Sequence, residues 1–160
     1  MNWDFLLILA DYCDFWTLIA LRSTCSLFRR RLQIKSIPDG LIWKLNDKNL
    51  SLFPQLTTLQ ASYNLSITDA SVGLLTQLTT LYASCNHKIT DASVAKLTQI
   101  TTLYAAGNSK ITDASVCLLT QLTTLNAYGN SNITDASVGL LTQLTTLYAS
   151  CNHKITDASV

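Results

Sequence analysis

The stretch LTTLYASCNHKITDASVAKLTQ, residues 78–99, decides the fold of this chain because closely similar text occurs five times. The phrase returns every 22 residues, and its copies begin at Leu56, Leu78, Ile100, Leu122 and Leu144. Self-similarity with a period of a few tens of residues is typical of solenoids, in which each repeat packs only on its neighbours. The sequence therefore predicts a stack of similar coils.

The first half of each copy has the pattern of a short strand. Apolar and polar residues alternate around Leu81 and Ala83, as in a strand with one buried face. The threonines and the tyrosine beside them favour extended backbone. The chain is expected to turn at Asn86, because an asparagine side chain bonds nearby backbone and tolerates unusual dihedrals.

The second half of each copy predicts a short helix that returns to the next strand. Thr90 and Asp91 form a helix-start signal, and the residues after them predict about two helical turns over 92–97. So short a helix is unstable alone, which makes stacking obligatory. The expected fold class is α/β, a solenoid with one parallel strand and one short helix per coil. Its predicted core residues in this copy are Leu78, Leu81, Ala83, Ile89, Val94 and Leu97.

This skeleton resembles the leucine-rich repeat, L-x-x-L-x-L-x-x-(N/C)-x-(x)-(L/I). Here the core reads LTTLYASCNHKI, with Ala83 at the third leucine position. The Ile-Thr-Asp phrase that follows resembles the cysteine-containing class found in F-box proteins, although Asn86 stands where that class has cysteine. Internalin-type bacterial repeats also have 22 residues but place the isoleucine one residue earlier. The resemblance covers residues 56–160 and implies the fold, while it leaves the ligand open.

The pattern divides the chain into repeats and a different N-terminal segment. Residues 34–55 align as a degenerate capping repeat, with Leu45, Leu50 and Phe53 in the places of Ile, Val and Leu. Because the last repeat stops five residues short, its core layer is expected to be open or paired with something. The five leucine-rich repeats are predicted at 56–77, 78–99, 100–121, 122–143 and 144–160.

Residues 1–45 are predicted to form a small α-helical head, and they carry a second resemblance. The stretch DFLLILADYCDFWTLIALRSTCSLFRR, residues 4–30, resembles the F-box, and LIWKL at 41–45 is similar to the phrase that often closes one. The opening Leu-Pro of the F-box is missing. The resemblance implies docking to a Skp-type adaptor of a cullin ubiquitin ligase. The residues that it implies for the adaptor-facing or supporting surface are Leu6, Leu9, Leu18, Leu21 and Phe28.

The N-terminal segment has two other interpretations. Its leucines at helical spacing also fit an amphipathic cap on the solenoid. A membrane or signal segment is disfavoured because Asp11 and Asp14 interrupt the apolar run and no basic residues precede it. We therefore expect no membrane partner.

The variable positions of the repeats point to a binding surface. Alternation along a strand sends the fifth and seventh positions of each copy away from the core. Tyrosines on an open sheet offer a large contact area with a polar tip, as protein-binding surfaces do. The alternative is that recently copied repeats vary wherever burial permits, since residues 78–94 and 144–160 are identical. The predicted partner-binding residues are Gln60, Tyr82, Tyr104, Asn126, Tyr128 and Tyr148.

Two invariant polar columns are expected to be structural. The asparagines should bond turn backbone along the stack, and the aspartates should cap helix starts rather than bind calcium. These residues are Asn64, Asn86, Asn108, Asn130 and Asn152, with Asp69, Asp91, Asp113, Asp135 and Asp157.

Composition argues against an enzyme, a metal protein or a nucleic-acid-binding protein. The chain has no glutamate, only two histidines, and no catalytic or nucleotide-binding motif, so we expect no cofactor. The pairs Cys85/His87 and Cys151/His153 lie three coils apart, roughly 14 Å, which is too far to share a zinc ion. The net charge is only +1, which disfavours nucleic acid. Five cysteines without framework spacing suit a reducing compartment, either cytoplasmic or nuclear.

Together these observations predict a protein-interaction scaffold. The F-box resemblance implies a substrate receptor of a ubiquitin ligase, in which the head docks the adaptor and the repeats hold a protein substrate. The alternative is a plain leucine-rich-repeat binding protein whose N-terminus only caps the stack. A secreted internalin-like adhesin would need an export signal, which is not visible in the sequence.

Overall fold

The computed structural model describes Thr17, Ala20 and residues 43–159, and most of this region is one parallel sheet backed by short helices. The strands follow one another in the order of the sequence. The register pairs equivalent residues of successive coils, so that Leu59 lies opposite Leu81. Each repeat position therefore forms a column across the sheet. The strands are β1 (Thr58–Gln60), β2 (Thr80–Tyr82), β3 (Thr102–Tyr104), β4 (Thr124–Asn126) and β5 (Thr146–Tyr148).

The helices are shorter than the sequence pattern predicts. Each has four residues, so the expectation of about two turns over 92–97 was wrong. After Val94 the chain makes tighter turns, in which Lys96 N–H donates to Ser93 and Leu97 N–H donates to Val94, both at 3.0 Å. The coil must turn back to the next strand within a few residues, and these turns do so. The helices are α1 (Asp47–Leu50), α2 (Asp69–Val72), α3 (Asp91–Val94), α4 (Asp113–Val116) and α5 (Asp135–Val138).

The apolar skeleton predicted from the sequence is the core of the solenoid. All six residues named for the copy at 78–99 are fully buried, and their counterparts continue the core from coil to coil. Leu144, Leu147 and Ile155 pack against this core and are partly buried. The predicted fold class, a solenoid of parallel strands and short helices, is confirmed.

The coil before β1 follows the same plan in its described part. Leu45, Leu50 and Phe53 are buried in the common core. Helix α1 begins after Asn46, whose side chain accepts a hydrogen bond from Asn49 N–H while the Asn49 side chain accepts one from Asn46 N–H. The rest of the proposed capping repeat, residues 34–42, lies outside the described residues.

The asparagine column ties neighbouring coils together. The Asn86 side-chain amide donates to the carbonyls of Ala61, Asn64 and Ile67 at 3.0, 2.8 and 3.2 Å. Its Oδ1 accepts from Lys88 N–H at 3.0 Å. Equivalent bonds recur at Asn108, Asn130 and Asn152, so the predicted structural role is confirmed.

The residue with unusual dihedrals is the one before the asparagine. Cys85 has φ of 55°, and the equivalent residue in each of the other four repeats also has a positive φ. The asparagine stabilises the turn through its side-chain hydrogen bonds, as expected, while the residue before it has the left-handed backbone. The left-handed column comprises Tyr63, Cys85, Gly107, Gly129 and Cys151.

The aspartate column is structural, but its predicted role as cap of its own helix was wrong. The N-cap of α4 is Thr112, whose side chain accepts from Ala114 N–H at 3.1 Å. Asp91, in the preceding coil, accepts from Thr112 N–H at 2.8 Å and from Thr112 Oγ1 at 2.7 Å. The Ser115 hydroxyl also donates to Asp91. Each such carboxylate therefore links one helix to the next, in a column that begins at Asp47.

Candidate binding face

The surface opposite the core is made by three columns, the third, fifth and seventh positions of each coil, and we call it the strand face. In β1 to β4 a buried leucine alternates with two half-buried residues that point to this face. The third position is threonine in all five coils. None of the strand-face positions carries a charged residue, so this face is polar and neutral.

The two central tyrosines of the fifth column touch. The rings of Tyr82 and Tyr104 are stacked, with their centroids 4.7 Å apart and their planes at 25°. This distance equals the separation of neighbouring strands, so the side chains stand side by side on the sheet. Both residues are half-buried, whereas Tyr148 in the same column is 51% exposed. Five of the six predicted binding residues, all but Tyr128, thus lie in this one column.

Asn126 and Tyr128 are linked by a local hydrogen bond. The Asn126 Oδ1 accepts from Tyr128 N–H at 3.0 Å, which turns the amide toward its own backbone. Tyr128, in the seventh column, is 50% exposed. At the β1 edge, Gln60 has a buried Oε1 with no hydrogen-bond partner among the described residues. The six predicted residues therefore share one face, with Gln60 separated from Tyr148 by the width of the sheet.

The second-position threonines serve the stack rather than the strand face. The hydroxyl of Thr79 donates to the Thr57 carbonyl at 3.1 Å, and Thr123 bonds Thr101 in the same way at 3.0 Å. Of the paired threonines, only the third position therefore belongs to the strand face.

The left-handed column beside this face was not predicted from the sequence. Its signal was present, because Gly107 and Gly129 both occupy the column and glycine favours positive φ. A Cβ at Gly107 would lie 3.1 Å from the Cys85 sulfur, whereas at Gly129 it would meet nothing within 4 Å. Tyr63 is exposed here, and its hydrogen bond and charge interaction with Cys85 raise the pKa of its hydroxyl.

The predictions about metal binding, membrane spanning and adaptor binding can be compared only with the described residues. Among the described residues, no group of three His, Cys, Asp or Glu side chains could hold a metal ion. The described part of the chain also contains no helix long and apolar enough to cross a membrane. The predicted adaptor-binding residues lie outside the described residues, and they are Leu6, Leu9, Leu18, Leu21 and Phe28.

Comparisons with solved structures identify the fold. The chain is similar to an internalin (inlF) from Listeria monocytogenes str. 4b F2365, with 31% identity and a TM-score of 0.53 over 79% of this chain and 34% of that one. It is also similar to an internalin C2 (inlC2) from the same strain, with 29% identity and a TM-score of 0.53 over 71% of this chain and 48% of that one. The chain thus spans between a third and a half of these internalins. The solenoid is of the leucine-rich-repeat type.

More distant comparisons add only to the fold. The TLR13–ssRNA13 complex contains a chain that is 17% identical, with a TM-score of 0.50 over 72% of this chain and 18% of that one. No protein-family model matches the sequence. No curated protein matches it either.

Proposed function

We propose that this leucine-rich-repeat chain is a protein-binding scaffold that holds a partner protein on its strand face. The observation that carries the proposal is the contrast between the columns. The polar side chains behind the sheet form hydrogen bonds within the stack. The strand face instead presents uncharged side chains, among them several tyrosines. Aromatic residues are enriched in protein interfaces and charged residues are depleted at their cores. The similarity to internalins supports a binding role rather than a catalytic one.

A comparison of two surfaces tests this proposal. Partners would be captured with the full chain and with Tyr128→Asp/Tyr148→Asp, which places charges on the strand face. The matched control is Leu118→Asp/Leu140→Asp, on the return segments that follow α4 and α5. Exposure is similar in the two pairs, at 50% and 51% for the tyrosines and 50% and 58% for the leucines. We expect a purified partner to lose affinity for the tyrosine variant alone, and loss confined to the leucine variant would overturn the proposal.

We further propose the finer role of a ubiquitin-ligase substrate receptor, in which the N-terminal segment docks a Skp-type adaptor in the cytoplasm or nucleus. The support is the order of two resemblances, F-box-like residues first and leucine-rich repeats second. The free thiols Cys85, Cys117 and Cys151 suit the reducing compartment where such ligases act. The alternative, a helical cap without a ubiquitin role, rests on the same leucines.

Calorimetric titration of the full chain with a Skp-type adaptor separates these two roles. The variants Leu18→Ala and Phe28→Ala should abolish binding, while thermal unfolding of the repeat stack stays unchanged. If the adaptor does not bind although the chain is folded, the receptor role is rejected. Loss of repeat stability in the same variants would favour the capping role.

A further inference from the structure

The stacked tyrosines show how side chains are spaced on the fifth column. Tyr82 and Tyr104 stand on neighbouring strands, and their centroids lie 4.7 Å apart. Offset aromatic stacking uses centroid separations from about 4.5 Å upward, so the strand spacing itself suits a continuous stack of rings. The column therefore acts as a row of ring positions, one per strand.

One position in this row lacks a ring. The register places Asn126 opposite Tyr104 on one side and Tyr148 on the other. The Asn126 amide is short, and its Oδ1 is held by Tyr128 N–H at 3.0 Å. Two strand separations, roughly 9.6 Å, divide the Tyr104 and Tyr148 backbones. That span holds one further ring at stacking distance from both tyrosines.

The surroundings of this gap select an uncharged occupant. Strands β3 to β5 present only threonine, tyrosine, alanine, asparagine and serine to the strand face, so no counter-ion is available for a charged ligand. Tyr148, which borders the gap on the β5 side, is 51% exposed. Thr124, at the third position of its repeat, lies two residues before Asn126 in β4.

We propose that the gap above Asn126 receives one aromatic side chain of a partner protein, which stacks between Tyr104 and Tyr148. This inference rests on the proposed function, because it names the anchor by which the strand face would hold its partner. The incoming ring would complete the row begun by Tyr82 and Tyr104. It would be a tryptophan, tyrosine or phenylalanine in a neutral stretch of that partner.

The test titrates N-acetyl-tryptophanamide into the full chain and follows the amide signals of β3 to β5 by NMR. Saturable ring-current shifts should appear at Tyr104, Asn126 and Tyr148. Asn126→Tyr fills the gap with the chain's own ring and should weaken probe binding roughly tenfold or more, because two stacking contacts are lost. Gln60→Tyr is the matched control, since it adds a tyrosine to the same column at β1 and leaves the gap open.

Three results with small-molecule probes would overturn the inference, and a fourth comes from a partner protein. They are the absence of saturable shifts up to the solubility limit of the probe, equal binding by Asn126→Tyr, and tighter binding of adenosine or uridine than of the tryptophan probe. The last result would assign the gap to nucleobases. A partner that still binds the strand face of Asn126→Tyr, while binding is lost in Tyr128→Asp/Tyr148→Asp, would remove the gap as anchor but leave the proposed function standing.

Discussion

The asparagine column and the tyrosine column run parallel through the same solenoid and differ in what holds them. Asn86, Asn108 and Asn130 are buried, and each amide donates to three carbonyls of the preceding coil. Tyr82 and Tyr104 touch each other, and Tyr148 is half-exposed. Replacing a buried amide removes several hydrogen bonds to the backbone at once, whereas a strand-face side chain makes few such bonds. The repeats vary at positions whose side chains make few hydrogen bonds within the stack, and those positions are available for binding.

The largest effect should follow from removing one asparagine. Asn108→Ala removes three donated hydrogen bonds and one accepted bond. The carbonyls of Ala83 and Asn86 keep one backbone N–H donor each, whereas the Ile89 carbonyl and the Lys110 N–H lose the bond to this side chain. We expect the free energy of unfolding to fall by roughly 3–4 kcal/mol, because several buried polar groups lose their hydrogen bonds. Urea unfolding of this variant is compared with that of Asn126→Ala on the strand face, which should lose less than about 1 kcal/mol. Equal losses would show that the two columns do not differ.

A smaller effect is expected from the aspartate column. Asp113 accepts from Thr134 N–H and Oγ1 at 2.8 and 2.6 Å, and from the Ser137 hydroxyl. Asp113→Ala should reduce stability by about 1–2 kcal/mol, because the bonds are charge-assisted but partly screened by solvent. The thermal midpoint measures this loss. An unchanged thermal midpoint would mean that the threonine N-cap alone stabilises the contact between successive coils.

The same column should make the stack sensitive to acid. Burial opposes ionisation of Asp113, but hydrogen bonds from Ser137 and Thr134 outweigh it and lower the pKa of its carboxyl. The pKa values of Asp47 and Asp135 are lowered by equivalent bonds. A lowered folded-state pKa stabilises the fold above the unfolded value of about 3.9, and this stabilisation is lost as pH falls through the folded value.

Thermal midpoints measured between about pH 6 and pH 2 should therefore fall toward acid. Asp113→Asn should show a shallower fall, since one linked proton has been removed. A slope identical to that of the unchanged chain would exclude Asp113 as a contributor.

The smallest effects belong to the tyrosines. Tyr148→Ala should change the free energy of unfolding by no more than about 0.5 kcal/mol, because its side chain is half-exposed. Tyr82→Ala should lose about 1 kcal/mol, since it breaks the stacked pair with Tyr104. A double-mutant cycle of Tyr82 and Tyr104 gives their coupling energy directly. Zero coupling would mean that the rings are only neighbours.

The core could be predicted from the sequence because its signal repeats five times. Leu81, Ala83 and Ile89 recur at a fixed period, and any solenoid with that period must bury the same positions. The helix length could not be predicted in the same way. An apolar residue at Val94 and another at Leu97 fit both a second helical turn and the tighter turns observed.

The partners of polar side chains were harder to predict. Asp91 bonds Thr112, 21 residues further along the chain, whereas local rules assign an aspartate to its own helix end. The bond from Tyr128 N–H to Asn126 occurs in one coil only, so the periodicity carried no sign of it. The strand face could be predicted as a set of positions, but the orientation of the Asn126 amide within it could not.

Because the sheet is in register, the number of coils sets the length of the strand face. Each coil adds one strand, about 4.8 Å, so that five strands span roughly 19 Å along the strand face. A coil that offers the same hydrogen-bonding groups to both of its neighbours can be duplicated or removed without changes to either neighbour. The identity of residues 78–94 and 144–160 fits that interchangeability. The length of the strand face therefore changes in steps of one coil.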